Sequence, residues 1–183
     1  MAVNALAFND GKADAFLDAL KVTNSVVAYI GHGWSAVQHP FTTIGLCFAG
    51  LQCLAPADLI QVTLPGGTTG IMQPPDGGST YSLPNGFAPK AKVVILAACG
   101  ITDSFLNEWH LAKGQVLIFP EYSPGSDNLI NLEMAAGDVQ FMLDQLSAGI
   151  DVTQTLAMVN KGQGYTWQVM PEGANVSFKV PSR

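Results

Sequence analysis

Two stretches of the chain share one plan, and that plan limits what the chain can fold into. Residues 93–100 read Val-Val-Ile-Leu-Ala-Ala-Cys-Gly, and residues 26–33 read Val-Val-Ala-Tyr-Ile-Gly-His-Gly. Each is a continuous apolar run rich in β-branched side chains, the pattern of a strand buried on both faces of a parallel sheet. One run ends on a cysteine and the other on a histidine, each followed at once by glycine. Open α/β sheets bind and transform ligands at the carboxyl ends of their strands. If these two strands lie side by side in parallel, His32 and Cys99 emerge on one rim. A thiol facing an imidazole is the simplest activated nucleophile in protein chemistry.

The 183 residues are expected to form a single domain, residues 1–183, with a full core. Charged residues make up only 12%, about half the usual share. So neutral a surface favours self-association, as a homo-oligomer, or docking to a partner protein. The net charge of −6 and the scattering of only 8 Lys and Arg residues exclude a nucleic-acid binder, which needs clustered cations. Residues 1–8 lack a basic start, and Asn9-Asp10-Gly11 breaks any apolar core of a leader. No apolar run reaches the ~20 residues needed to span a bilayer. Cys47, Cys53 and Cys99 make no even disulfide framework. The expectation is a soluble cytoplasmic protein, away from membranes, in which Cys99 remains a thiol.

Helices and strands alternate along the chain. Residues 3–8 predict a first strand and residues 12–21 a helix with Asp10 near its start. The histidine strand at 25–31 follows, then a short hairpin strand at 44–49 after His39-Pro40, and a short helix at 55–60 with Pro56 in its first turn. Residues 65–89 are rich in Gly and Pro and predict little beyond a small hairpin. This insertion between the histidine and cysteine strands is read as a surface excursion before a functional lid. After Cys99 come a helix at 102–113 stopped by Gly114, a buried strand at 115–119, a loop at 120–125, and a helix at 128–147 capped by Ser126 or Asp127. That helix carries Leu129, Leu132, Ala136, Val139, Leu143 and Leu146 on one stripe. A shorter helix at 152–161 and a closing hairpin over 165–180 complete the order. The expected fold class is α/β, a three-layer α/β/α sandwich with a mainly parallel central sheet.

The motifs Ile30-Gly31-His32-Gly33 and Ile95-Leu96-Ala97-Ala98-Cys99, in this order, resemble those of the caspase-like cysteine peptidases, and most closely the CHAT, separase and gingipain branch. Lys113-Gly114-Gln115-Val116-Leu117-Ile118 resembles the family's fifth strand. Residues 141–149 with 152–159 are similar to the paired C-terminal helices of CHAT domains, and residues 54–59 to the short helix between their dyad residues. The likeness covers residues 23–162. The family has two βα units before the histidine strand where this chain has room for one, which implies a minimal version or a sheet completed by another chain.

The resemblance implies a caspase-like fold and a cysteine endopeptidase acting on peptides or proteins without a cofactor. Cys99 is then the nucleophile and His32 the general acid–base. The backbone N–H groups of Gly33 and Cys99 form the oxyanion hole, glycine after histidine letting the backbone approach the substrate closely. The alternative for the same residues is a buried structural cysteine and a strand-end histidine, in a non-catalytic scaffold of the same fold. In separase-like members an acidic residue at the place of Glu121 favours a basic P1 side chain, Arg or Lys; a solvated loop carboxylate is the other reading. The family's position two before the cysteine is often polar or acidic and is Ala97 here, which removes one common source of that preference. Asp103 is a second pocket candidate or a helix cap, and Asp127 is better read as a cap. Trp34 lines either the cleft or the core. No metal site is expected: His39, Cys47 and Cys53 lack a CxxC pair and a fourth ligand. Gly66-Gly67-Thr68-Thr69-Gly70 lacks the Gly-Lys-Ser/Thr of a phosphate loop.

Overall fold

A computed structural model describes residues 2–7, 12–35, 43–74, 78–122, 130–160 and 165–178. The expectations resting on Asp10, His39, Ser126 and Asp127 lie outside these residues. Strand β1 (Ala2–Ala7), helix α1 (Ala13–Leu20) and strand β2 (Ser25–Ile30) form the single βα unit that precedes the histidine. A run of short elements follows: β3 (Gly33–Ser35), β4 (Thr43–Phe48), β5 (Gln52–Pro56), α2 (Ala57–Ile60), β6 (Gln61–Thr63), β7 (Thr69–Ile71) and β8 (Ser79–Leu83). The second half holds β9 (Val93–Ala97), α3 (Asp103–Leu106), β10 (Val116–Tyr122), α4 (Leu132–Ser147), α5 (Val152–Val159) and β11 (Tyr165–Met170).

The main sheet has the order β1-β2-β9-β10-β11. The first four strands are parallel and β11 is antiparallel to β10. The histidine and cysteine strands are therefore parallel neighbours at the centre, with Val26 opposite Val93 and Ile30 opposite Ala97. Continuous apolar runs suit that position because both faces are covered. Val26, Ala28, Val93, Ile95, Val116 and Ile118 pack on one face with α4 and α5. Val27, Tyr29, Val94, Leu96 and Leu117 pack on the other with α1, α3 and residues Leu46, Phe48 and Leu54. The fold is thus mixed α/β around a mostly parallel sheet. Its second face is covered partly by a smaller sheet of order β3-β4-β5-β8.

Several elements depart from the sequence reading, each for a local reason. The helix expected at 102–113 is one turn, α3, capped by Thr102 rather than Asp103: the Thr102 hydroxyl accepts from Phe105 N–H at 3.5 Å. Beyond it Trp109 stacks on Phe87 at 4.2 Å between centroids, and the backbones of 87, 108 and 110 exchange hydrogen bonds, so tertiary pairing takes the groups a helix would use. The same contact and β8 structure part of the 65–89 stretch; β8 pairs with β5 at the edge of the small sheet farthest from β3. Helix α4 starts at Leu132, with Asn131 Oδ1 accepting from Glu133 and Met134 N–H at 3.0 and 3.1 Å. Among the described residues no hairpin closes the 165–180 stretch. β11 pairs with β10, and the chain after it serves α5, whose Val152 N–H donates to Val176 O and whose Thr153 N–H donates to Asn175 Oδ1.

The three cysteines also differ from expectation. Cys47 and Cys53 stand directly opposite each other on the β4–β5 hairpin and form a disulfide, leaving Cys99 free. Among the described residues no helix is long and apolar enough to cross a membrane.

Candidate functional site

Because β2, β9 and β10 are parallel, their carboxyl ends share a rim. His32 leaves β2 there, Cys99 follows β9, and Tyr122 ends β10. The pairing of Ile30 with Ala97 sets residues 32 and 99 level two positions further on, and the ladder is prolonged by Gly31 N–H donating to Ala97 O at 3.0 Å. Alternation along β9 turns Cys99 to the face covered by α4, where it packs, partly buried, against that core. Ile130, just before the Asn131 cap, donates its N–H to Cys99 Sγ at 3.4 Å. His32 is exposed.

Gly33 abuts the cysteine. A Cβ built there would lie 2.8 Å from the Cys99 carbonyl oxygen and would overlap the Thr43 hydroxyl. Only glycine permits this approach. Thr43, itself buried, ties the two segments together: its hydroxyl donates to Cys99 O and its N–H donates to Gly100 O at 2.7 Å. Gly100 turns the chain away from the rim with φ of 62°, a left-handed conformation that glycine adopts at no steric cost.

Two tyrosines hold the backbone around the pair, from opposite faces of the sheet. The Tyr29 hydroxyl lies 2.8 Å from His32 O and 2.6 Å from Cys47 O, its proton shared between the two, while Cys47 N–H donates to His32 O at 3.1 Å. The Tyr122 hydroxyl donates to Ala98 O at 2.7 Å. Burial pushes the Tyr29 hydroxyl far above the ordinary tyrosine range; hydrogen bonding from the Cys47 backbone opposes this and the Cys99 charge adds to it. For Tyr122 burial again comes first and the Cys99 charge second, with the Gly100 N–H pulling the other way. Both phenols therefore keep their protons beside the sulfur.

The remaining expected residues fall elsewhere. Glu121 is exposed but lies in β10, not in a loop, and accepts from Gln168 Nε2 at 2.8 Å. Val116, Ile118 and Tyr122 share the α4 face, so alternation turns Glu121 to the opposite face from Cys99. Asp103 is exposed in the first turn of α3. Trp34 is 3% exposed and packs with Ile44, Cys53, Ala55 and Ile60 behind the small sheet. Of the three residues weighed as metal ligands, Cys47 and Cys53 are bonded to each other and His39 lies outside the described residues; among the described residues no group of His, Cys, Asp or Glu is placed to hold a metal ion.

Sequence reasoning missed Tyr29, Thr43, Tyr122 and the Ile130 N–H. Tyr29 did carry a signal, because a phenol inside an otherwise aliphatic buried strand must find a hydrogen-bond partner. Tyr122 was hidden by Pro120, which suggested that the strand had ended. Thr43 and Ile130 carry no local signal. No family model, curated protein or solved structure matches the chain.

Proposed function

We propose that the chain is a caspase-like cysteine endopeptidase using Cys99 and His32. The observation that carries the reading is the parallel pairing of β2 with β9, whose register sets residues 32 and 99 level on one rim. The close approach of Gly33 to Cys99 adds to it, as does the survival of Cys99 as the free thiol. In this mechanism His32 takes the Cys99 thiol proton, the sulfur attacks the scissile carbonyl carbon, and the carbonyl electron pair moves to oxygen, where the N–H groups of Gly33 and Cys99 receive it. The tetrahedral intermediate collapses, the C–N bond breaks, and His32 delivers a proton to the departing amine. Water then attacks the thioester, His32 takes its proton, and the acid product leaves with Cys99 restored. No cofactor is needed.

The preference for Arg or Lys at P1 rests on the resemblance alone, because Glu121 faces away from the sulfur. A cytoplasmic setting loses the support of three unpaired thiols, since disulfides persist mainly in oxidising surroundings.

The test is chemical labelling with turnover. Iodoacetamide and peptidyl Arg- or Lys-chloromethylketones should modify Cys99 selectively in native protein, His32→Ala should suppress labelling by the chloromethylketones, and Cys99→Ala should abolish cleavage of a peptide library. Cys99 left unmodified until the protein is unfolded would overturn the reading. Modification without any cleavage would leave the non-catalytic scaffold in its place.

A further inference from the structure

We propose that Tyr29 and Tyr122 are positioning residues, one for each half of the oxyanion hole. This rests on the peptidase reading above and adds to it a reason why the two N–H groups point where they must.

Planarity of the peptide bond couples each carbonyl to the N–H that follows it. In a trans peptide unit the C=O of one residue and the N–H of the next lie in one rigid plane and point in opposite directions. Fixing the oxygen fixes the N–H. The Gly33 N–H belongs to the unit whose oxygen is His32 O, and the Cys99 N–H to the unit whose oxygen is Ala98 O. Those are the two carbonyls that the tyrosine hydroxyls hold, Tyr29 at 2.8 Å from His32 O and Tyr122 at 2.7 Å from Ala98 O. Each phenol thus grips the end of a peptide unit remote from the N–H that would meet substrate. Cys47 N–H supports the first grip at 3.1 Å.

Local pairing leaves the first donor available. Cys47 N–H donates to His32 O while Gly33 stands opposite Leu46, so Gly33 occupies the non-hydrogen-bonded position of the β3–β4 ladder. Its N–H is therefore not consumed by β4. The phenols are built into separate cores. Tyr29 packs edge-on against Phe16 and Phe48, with centroids 5.8 and 5.3 Å away, and Tyr122 leans on Tyr165 at 6.4 Å. Rings locked this way carry little rotational freedom into the hydrogen bond, which is what preorganised oxyanion stabilisation requires.

The experiment uses Tyr29→Phe and Tyr122→Phe in the full chain, which delete one oxygen each and keep the rings. Hydrolysis is followed with the fluorogenic peptide amide that the wild type turns over fastest, and iodoacetamide alkylation of Cys99 is followed in parallel. Alkylation displaces iodide at a saturated carbon and develops no oxyanion, so it reports the sulfur alone. The expected result is a fall in kcat of about tenfold or more for Tyr122→Phe, and a smaller fall for Tyr29→Phe because Cys47 N–H remains. KM and alkylation rate should stay within about twofold of wild type. Undiminished kcat in both variants would overturn the proposal, and so would a parallel loss of kcat and alkylation, which signals general distortion. If the wild type alkylates yet hydrolyses nothing, the peptidase reading falls first and this proposal with it.

Discussion

Gly33 and Cys99 touch through their backbones: a methyl group on Gly33 would come within 2.8 Å of the Cys99 carbonyl oxygen and overlap the hydroxyl of Thr43. Neither obstacle is a flexible side-chain end. Thr43 is buried and anchored to both Cys99 O and Gly100 O, and the cysteine turn is the end of a central strand. Gly33→Ala is expected to push the two rim segments apart. Overpacking of this kind costs about 1–3 kcal/mol, and on the peptidase reading proposed above turnover should fall by at least about a hundredfold, because that reading makes the Gly33 N–H an oxyanion donor. Urea denaturation together with kcat measures both effects.

Glu121 provides a test of specificity. Its carboxylate receives Gln168 on the face away from Cys99. Glu121→Gln should therefore leave the ranking of P1 side chains as it is in wild type, measured with a panel of peptide amides that differ only at P1. A selective loss of Arg and Lys substrates would show that the rim lets this carboxylate reach around the sheet.

The buried phenols make stability sensitive to alkali. Tyr29 and Tyr122 are both held above the ordinary tyrosine pKa, first by burial. A raised folded-state pKa means that the folded form keeps its proton after the unfolded form has lost it. The contribution to stability is complete below pH ~10 and declines as the pH rises above that, by about 1.4 kcal/mol per pH unit for a fully buried tyrosine. Tyr29→Phe should flatten this decline. Urea midpoints between pH 8 and 12 would reveal it.

Asp138 joins α4 to β11. One carboxylate oxygen accepts from both Tyr165 OH and Trp167 Nε1, each at 2.9 Å. Asp138→Ala strips two donors of a charged partner and should destabilise the fold by about 2–4 kcal/mol. Asp138→Asn, which keeps an acceptor oxygen, should cost less. The comparison is made by chemical denaturation.

Asn131 caps the helix whose approach presents Ile130 N–H to Cys99 Sγ. Asn131→Ala should lower stability by about 1 kcal/mol and alter the rate at which iodoacetamide modifies Cys99. A stability change without any rate change would mean that the Ile130 contact is indifferent to the helix start.

The central pair of strands was legible because burial on both faces writes an unbroken apolar run, and residues 26–30 and 93–97 have one. Which strands are neighbours was legible only as a conditional, and the register between them could not be read from either run alone. The helix expected at 102–113 was misread because Trp109 and Phe87, distant in sequence, satisfy one another. Pro120 ended the predicted strand too soon. Its missing N–H does no harm, since the pairing of β10 with β9 stops at Ile118. The disulfide was invisible for a related reason: an odd number of cysteines argues against a complete framework, yet only a hairpin register can say that Cys47 meets Cys53. The hydroxyl partners of Tyr29 and Tyr122 are carbonyl oxygens, and backbone atoms leave no mark in a sequence.

The Cys47–Cys53 link sits on the same hairpin whose backbone N–H holds His32 O and whose carbonyl shares the Tyr29 proton. Thiol reagents added to protect such a protein would thus work in two directions. A mild dose restores an oxidised Cys99, whereas a strong dose of dithiol opens the hairpin clip and slackens the histidine it steadies. Activity plotted against dithiothreitol should climb and then sink, and Cys47→Ser/Cys53→Ser protein should start lower and show only the climb.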